Sequence, residues 1–257
     1  MTVRKSYKPG EFCWNDLGTT DVASAKKFYT AVFGCTVTDV SPGSGADKYS
    51  ILSVKGKSVG ALYPMTTADR KKKTKPAWIP YVSVKSVARS FAKALALGAK
   101  VVDPPVAIDA AGRMAFLKDP TGAEFALWQP GSTAGAELED VAGSVSWHDL
   151  NTKKMKAAGS FYAKCFGWKI MEQDFSGHKY FAFKLGKEAV CGMWPEPMSK
   201  LPPCWITHWK VADCAKAVAT AKRLGGRALM VTTAVKGMGH FAILADQQGA
   251  AFCVIGK

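Results

Sequence analysis

The side chains best suited to acid–base chemistry are unevenly placed along this chain of 257 residues. All four histidines, His148, His178, His208 and His240, lie in its second half, and Asp149 adjoins the first of them. Imidazole titrates near neutrality, so a histidine oriented by a carboxylate could act as a general base. Strand alternation limits which of these groups can meet. If Trp147 faces the interior of its sheet, Asp149 does too, and His148 faces away. If Ile206 shares that interior, His208 points inward; if Trp205 does, His208 points out and Thr207 and Trp209 point in. The candidate catalytic pair is His208 with Asp149. Asp16, Tyr81 and Glu124 hold the positions in the first half that correspond to Asp149, His208 and Ala251. Seven cysteines, at 13, 35, 165, 191, 204, 214 and 253, include no C-x-x-C pair. That pattern suits neither a disulfide framework nor a zinc knuckle, and reads as free thiols in a reducing cytoplasm.

The elements that must position these residues emerge from internal repetition. Trp14-Asn15-Asp16-Leu17 matches Trp147-His148-Asp149-Leu150, Phe28-Tyr29 matches Phe161-Tyr162, and Phe33-Gly34 matches Phe166-Gly167, all offset by 133. Trp78 matches Trp205, Gly112 matches Gly239, Asp119 matches Asp246 and Gly122 matches Gly249, all offset by 127. Each half divides again. Trp14 to Gly34, Trp78 to Gly98, Trp147 to Gly167 and Trp205 to Gly225 each span 20 positions.

One unit can be read in detail. Trp14 to Leu17 is a short strand, and Asp21 is a helix N-cap. Val22, Ala25, Phe28, Tyr29, Val32 and Phe33 then follow at the spacing of one helix face, ended by Gly34. β-like runs come next at Thr36-Val37-Thr38, Tyr49 to Val54 and Ser58 to Leu62, separated by turn residues at Pro42-Gly43-Ser44-Gly45 and Lys55-Gly56-Lys57. Ser86 and Asp213 are the matching N-caps in units two and four. The expected fold class is α+β, with four βαβββ units making two curved, partly closed barrels. The first domain is expected over 8–131 (units 10–66 and 76–130) and the second over 141–257 (units 143–197 and 202–256). Units can pair as 1 with 2 and 3 with 4, or as 1 with 4 and 2 with 3.

Composition narrows the classes. Hydrophobic residues make up 48% and charged residues 21%, enough to bury a core. No apolar run reaches the ~18 residues of a membrane span. The N-terminal residues are basic but lack the apolar core of a signal peptide, so a cytoplasmic location is expected.

Phe28-Tyr29-x-x-x-Phe33-Gly34, Phe161-Tyr162-x-x-x-Phe166-Gly167-Trp168 and Asp119-Pro120-x-Gly122-x-x-Phe125 resemble the vicinal oxygen chelate superfamily. That superfamily includes glyoxalase I, bleomycin- and fosfomycin-resistance proteins and extradiol dioxygenases. The likeness runs from about Gly10 to Ile255 and is nearest to tandem glyoxalase-like proteins of bacteria. It implies, in catalytic members, a divalent metal such as Zn, Ni, Fe or Mn on His, Gln or Glu ligands in the first and last strands of a unit. Carried onto this sequence, the first-strand slots fall on Trp14, Trp147, Trp78 or Ile79, and Trp205 or Ile206. The last-strand slots fall on Ala126 and Cys253. Only Cys253 among them could bind a metal, so no metal cofactor is expected. A tryptophan in a metal slot either fills the vacated volume or offers a face for stacking a ligand.

The expected function is therefore the binding of a small, aromatic or anionic molecule without a metal. Trp14, Asp16, Tyr81, Glu124, Trp147 and Trp205 are the candidate ligand-binding residues. The alternatives are a glyoxalase-type lyase or isomerase acting on a small carbonyl compound, and a non-catalytic interaction protein; a homodimer is compatible with each. Lysine and arginine number 35 against 20 acids, a net charge of +15. The densest run, Asp69-Arg70-Lys71-Lys72-Lys73-Thr74-Lys75-Pro76, lacks the interleaved aromatics of a nucleic-acid site and reads as a solvated linker. Neither nucleic acid nor membrane is an expected partner.

Overall fold

The computed structural model describes residues 2–41, 49–71, 73–175, 177–195, 201–230, 232–235 and 239–257. The turn expected at Pro42-Gly43-Ser44-Gly45 lies outside them, as does Lys72 of the basic run. After a two-residue strand β1 (Thr2–Val3), unit one runs β2 (Phe12–Thr19), α1 (Val22–Phe33), β3 (Thr36–Val40), β4 (Tyr49–Val54) and β5 (Lys57–Pro64). A short helix α2 (Thr67–Lys71) formed by the start of the basic run leads to unit two. This comprises β6 (Ala77–Ser83), α3 (Val87–Ala96), β7 (Lys100–Ile108), β8 (Gly112–Lys118) and β9 (Glu124–Pro130). The connector strand β10 (Leu138–Glu139) pairs with β1. Unit three follows as β11 (Val145–Asn151), α4 (Met155–Phe166), β12 (Lys169–Phe175), β13 (His178–Leu185) and β14 (Glu188–Met193). Unit four is β15 (Cys204–Lys210), α5 (Cys214–Arg223), β16 (Arg227–Ala228), β17 (Thr233–Val235), β18 (Gly239–Ala245) and β19 (Ala251–Gly256). Among the described residues no helix is long and apolar enough to cross a membrane.

The first two units share one sheet in the order β3-β4-β5-β2-β6-β9-β8-β7, and the last two share another, β12-β13-β14-β11-β15-β19-β18-β16, with β17 also on β18. Strand pairing thus joins units 1 with 2 and 3 with 4. The seams between units, β2 with β6 and β11 with β15, are antiparallel, whereas β2 with β5 and β11 with β14 run parallel. Helices follow the other arrangement. α1 packs on α5, joining units 1 and 4, and α3 packs on α4, joining units 2 and 3.

Local chemistry accounts for the helix ends. Asp21 accepts from the Ser24 amide at 3.0 Å and Asp213 from the Lys216 amide at 2.8 Å, while Ser86 caps α3 at 3.4 Å. Gly34 (φ 70°) and Gly167 (φ 75°) end α1 and α4 in the left-handed conformation that favours glycine. The Phe-Tyr pairs then bury between the halves. Phe28, Tyr29 and Phe33 join Trp78, Trp209 and Phe252 in one core, and Phe161, Tyr162 and Trp168 join Phe125, Phe183 and Trp205 in the other. The Tyr29 hydroxyl donates to Asp246 at 2.9 Å, tying the helix of unit one to the turn of unit four.

A polar contact sits where the two sheets meet. Asn15 and His148, equivalent residues of the repeat, face away from their own sheet interiors and bond to each other at 2.8 Å; Thr207 donates to the same Asn15 oxygen at 3.1 Å. Phe12 stacks on the imidazole at 4.2 Å. Burial and the neighbouring His208 push the His148 pKa down to about 3. The folded chain therefore declines a proton that the unfolded chain accepts below about 6.5, so stability falls as the medium is acidified through that value. Between pH 7 and 5 this single group costs about 2 kcal/mol. His148→Gln, whose amide can still meet Asn15, is expected to lack that slope. Urea unfolding at the two pH values should show the wild-type advantage over the variant shrinking by about 2 kcal/mol on acidification. An advantage independent of pH would mean that the folded protein protonates His148.

Candidate functional site

The site is built twice, once on each central seam. A bulge between Phe12 and Trp14 sets the phase of β2, turning Phe12 toward the other half and Trp14, Asp16 and Gly18 toward a cavity of about 1440 Å³. Across the seam Trp14 pairs with Tyr81 and Asp16 with Ile79, so β6 presents Ile79 and Tyr81 to the same space. Tyr49 of β4, Tyr63 of β5, Phe116 of β8, and Glu124 and Trp128 of β9 complete its walls. Asp16 is the hub. One oxygen accepts from the Trp14 indole at 2.7 Å and the Tyr49 hydroxyl at 2.6 Å, and the other accepts from the Tyr81 hydroxyl at 2.7 Å. Burial raises its pKa, and the donors from Tyr49, Tyr81 and Trp14 draw it back only in part. Glu124 is likewise pushed up by burial, against the pull of Lys118 at 3.6 Å.

The C-terminal seam repeats the hub with one exchange. The bulge recurs between Val145 and Trp147, and Trp147 pairs with His208 across the seam as Asp149 does with Ile206. Asp149 accepts from the Trp147 indole at 3.2 Å and the Tyr180 hydroxyl at 2.5 Å, and His208 Nε2 lies 3.2 Å from its other oxygen. Tyr180 leans on bare backbone: a Cβ at Gly192 would sit 1.9 Å from its hydroxyl, so only glycine fits there. Burial alone would lower the His208 pKa, but Cys253 and the Asp149 carboxylate outweigh it and raise it; Asp149 in turn is lowered, the His208 contact overcoming its burial. Both shifts favour an imidazolium–carboxylate ion pair. A charged imidazole has no lone pair with which to take a proton.

The structure thus brings His208 and Asp149 together, and sets Trp14, Asp16, Tyr81 and Glu124 around one cavity. Trp147 lies in the second hub. Trp205 departs from the expectation. It lies on the opposite face of β15, buried against α4, where its indole donates to the Tyr162 hydroxyl at 2.9 Å. Trp78 likewise lies on the opposite face of β6, buried in the core around α1, leaving Ile79 and Ile206 as the inward residues. Sequence reasoning missed Tyr49 and Tyr180, which close each hub from a strand two places away. Their signal was present: they are 131 positions apart and each opens or lies early in the equivalent hairpin strand.

Among the described residues no three of His, Cys, Asp and Glu gather closely enough to hold a metal ion. The hub carboxylates are already committed to indole, phenol and imidazole partners, so the donor set does not suit the divalent metal of catalytic relatives.

Comparison with known proteins places this geometry. Residues 14–127 match the profile of the Glyoxalase/Bleomycin resistance protein/Dioxygenase superfamily, and residues 148–255 match a glyoxalase-like domain. The "Putative glyoxylase CFP32" of Mycobacterium tuberculosis is 34% identical over 256 residues, covering 99% of this chain and 98% of that protein. The anthracycline biosynthesis protein DnrV of Streptomyces peucetius is 32% identical over 261 residues, covering 97% of this chain and 94% of that one. The Mn(II)-bound glyoxalase from Novosphingobium aromaticivorans superposes with a TM-score of 0.64 at 17% identity, over 97% of this chain and 82% of that chain. Two tandem domains, their shared seams and these matches together make the chain a member of the glyoxalase/bleomycin resistance protein/dioxygenase superfamily.

Proposed function

We propose that the chain is a metal-independent binding protein that holds a small, flat aromatic molecule in its N-terminal cavity. The observation that carries this reading is a space of about 1440 Å³ walled by Trp14, Tyr49, Tyr81, Phe116 and Trp128, whose central carboxylate is spent on three protein donors. Such a site offers stacking surface and a few polar anchors. The relatives named for anthracycline biosynthesis support an aromatic ligand. The His208 ion pair supports binding over base catalysis, because an efficient general base is neutral near the working pH. The same pair favours a second reading, in which protonated His208 serves as the acid of a glyoxalase-type lyase or isomerase.

Titration with a fused-ring phenol such as 1,8-dihydroxyanthraquinone tests the first reading. Tryptophan fluorescence should be quenched saturably, and Trp14→Ala should weaken binding about tenfold or more. Stoichiometric metal in the purified protein, with chelator-sensitive turnover of the methylglyoxal–glutathione adduct, would overturn it.

A further inference from the structure

Building on the reading of the N-terminal cavity as an aromatic ligand site, we infer that it selects molecules joining a flat aromatic body to a protonated amine, the amine lodging against Tyr63 and Glu124. The chain as a whole carries +15, so its mean field favours anions. The cavity mixes both signs: Arg4, Lys5, Lys57, Lys75, Lys100 and Lys118 in its lining are exposed or half-buried, whereas the carboxyl of Asp16 is buried. Asp16 and Glu124 both line it, and Glu124 is only 21% exposed with a single ion-pair partner among the described residues, Lys118 at 3.6 Å.

Tyr63 is the second, independent observation. Its largely buried ring lines the same space, and its hydroxyl has no hydrogen-bond partner among the described residues. It lies over Gly18, where a Cβ would approach the hydroxyl to 2.9 Å. After burial, the charges of Asp16, Glu124, Asp69 and Asp103 all act to hold that phenol protonated. An ammonium has three donors and no acceptor, and the Glu124 carboxyl and the Tyr63 oxygen are acceptors. The aromatic walls add attraction for a cation that neutral or anionic ligands do not receive.

The C-terminal hub lacks this arrangement. Ala251 stands for Glu124, Trp194 for Tyr63, and the cationic His208 for Tyr81. Amine selectivity is therefore a property of one half only.

Three probes that differ only in their polar group decide the matter: 1-pyrenemethylamine, 1-pyrenemethanol and 1-pyrenecarboxylate, titrated against the full chain at pH 7 and physiological salt. The amine is expected to bind about tenfold tighter than the alcohol, with the carboxylate weakest. Non-specific attraction to a basic protein would give the reverse order. Glu124→Gln and Tyr63→Phe should each weaken the amine severalfold more than they weaken the alcohol, so that the ratio of the two affinities falls. Carboxylate binding as tight as amine binding overturns the inference, as does an amine advantage unchanged in both variants. If the alcohol binds in a Trp14-dependent manner and the amine gains nothing, the amine selectivity fails while the aromatic site stands. If none of the three binds, the aromatic site itself fails and the inference with it.

Discussion

Asp149→Ala is expected to lower the unfolding free energy by about 3–5 kcal/mol, because it strands a buried imidazolium and leaves the Trp147 and Tyr180 donors unpaired. For a chain of this size that is a fall of roughly 10 °C in Tm. His208→Tyr should behave quite differently. It reproduces the arrangement of the N-terminal hub, where the Tyr81 hydroxyl donates to Asp16 at 2.7 Å, and should cost less than about 1 kcal/mol at neutral pH. The pH dependence follows from the direction of each shift. His208 is raised, so its contribution is complete below about 6.5 and is lost as pH climbs through its folded value. Asp149 is lowered, so its contribution is complete above about 4 and is lost as pH falls through its folded value. The wild-type advantage over Asp149→Ala should therefore be widest between about pH 4 and 6.5 and narrow on either side. Urea titrations at pH 5.5 and 9 check this. An Ala variant within 1 kcal/mol of wild type, or an advantage independent of pH, would show that the two groups meet without being charged.

Trp209→Ala should cost about 3–5 kcal/mol, through lost burial and the void left behind. The indole belongs to the second sheet but is buried in the core around α1. It stacks on Phe33 at 4.3 Å and 13° and tilts against Trp78 at 4.9 Å. It also lies over Gly60 of the first sheet, where a Cβ would be 3.1 Å from its outer edge. Removing it loosens one half from the other as well as weakening a core. Unfolding in urea, followed by both tryptophan fluorescence and circular dichroism, is expected to change from one coincident transition to two separated ones. Trp209→Phe, which keeps the stacking face, should restore coincidence. A single transition in the Ala variant would place the cohesion of the halves elsewhere.

Much of this architecture was legible because repetition is visible without any structure. The offsets of 133 and 127 located four units, and the helix faces around Phe28-Tyr29 and Phe161-Tyr162 followed from their spacing. Alternation correctly separated Asp149 from His148, since neighbours in a strand point to opposite faces. It could not choose between Trp205 and Ile206, because both are apolar and either could begin the inward row. The choice rests on which indole finds a cover, and α4 supplies one for Trp205. Tyr49 and Tyr180 escaped notice for a related reason: their bonds to the hub cross two strand ladders, and nothing near them in the chain announces a partner. Unit pairing was equally hidden, being decided by strand contacts on one face and helix contacts on the other.

That crossed arrangement has an evolutionary consequence. Each barrel hides its helices beneath its twin, so neither copy can be discarded, shuffled or resized without exposing the other. The two polar hubs face away from this common keel. Changes such as tyrosine to histidine at 81 and 208, or glutamate to alanine at 124 and 251, can accumulate there at small structural cost. A duplicated frame of this kind can therefore hold two different polar linings.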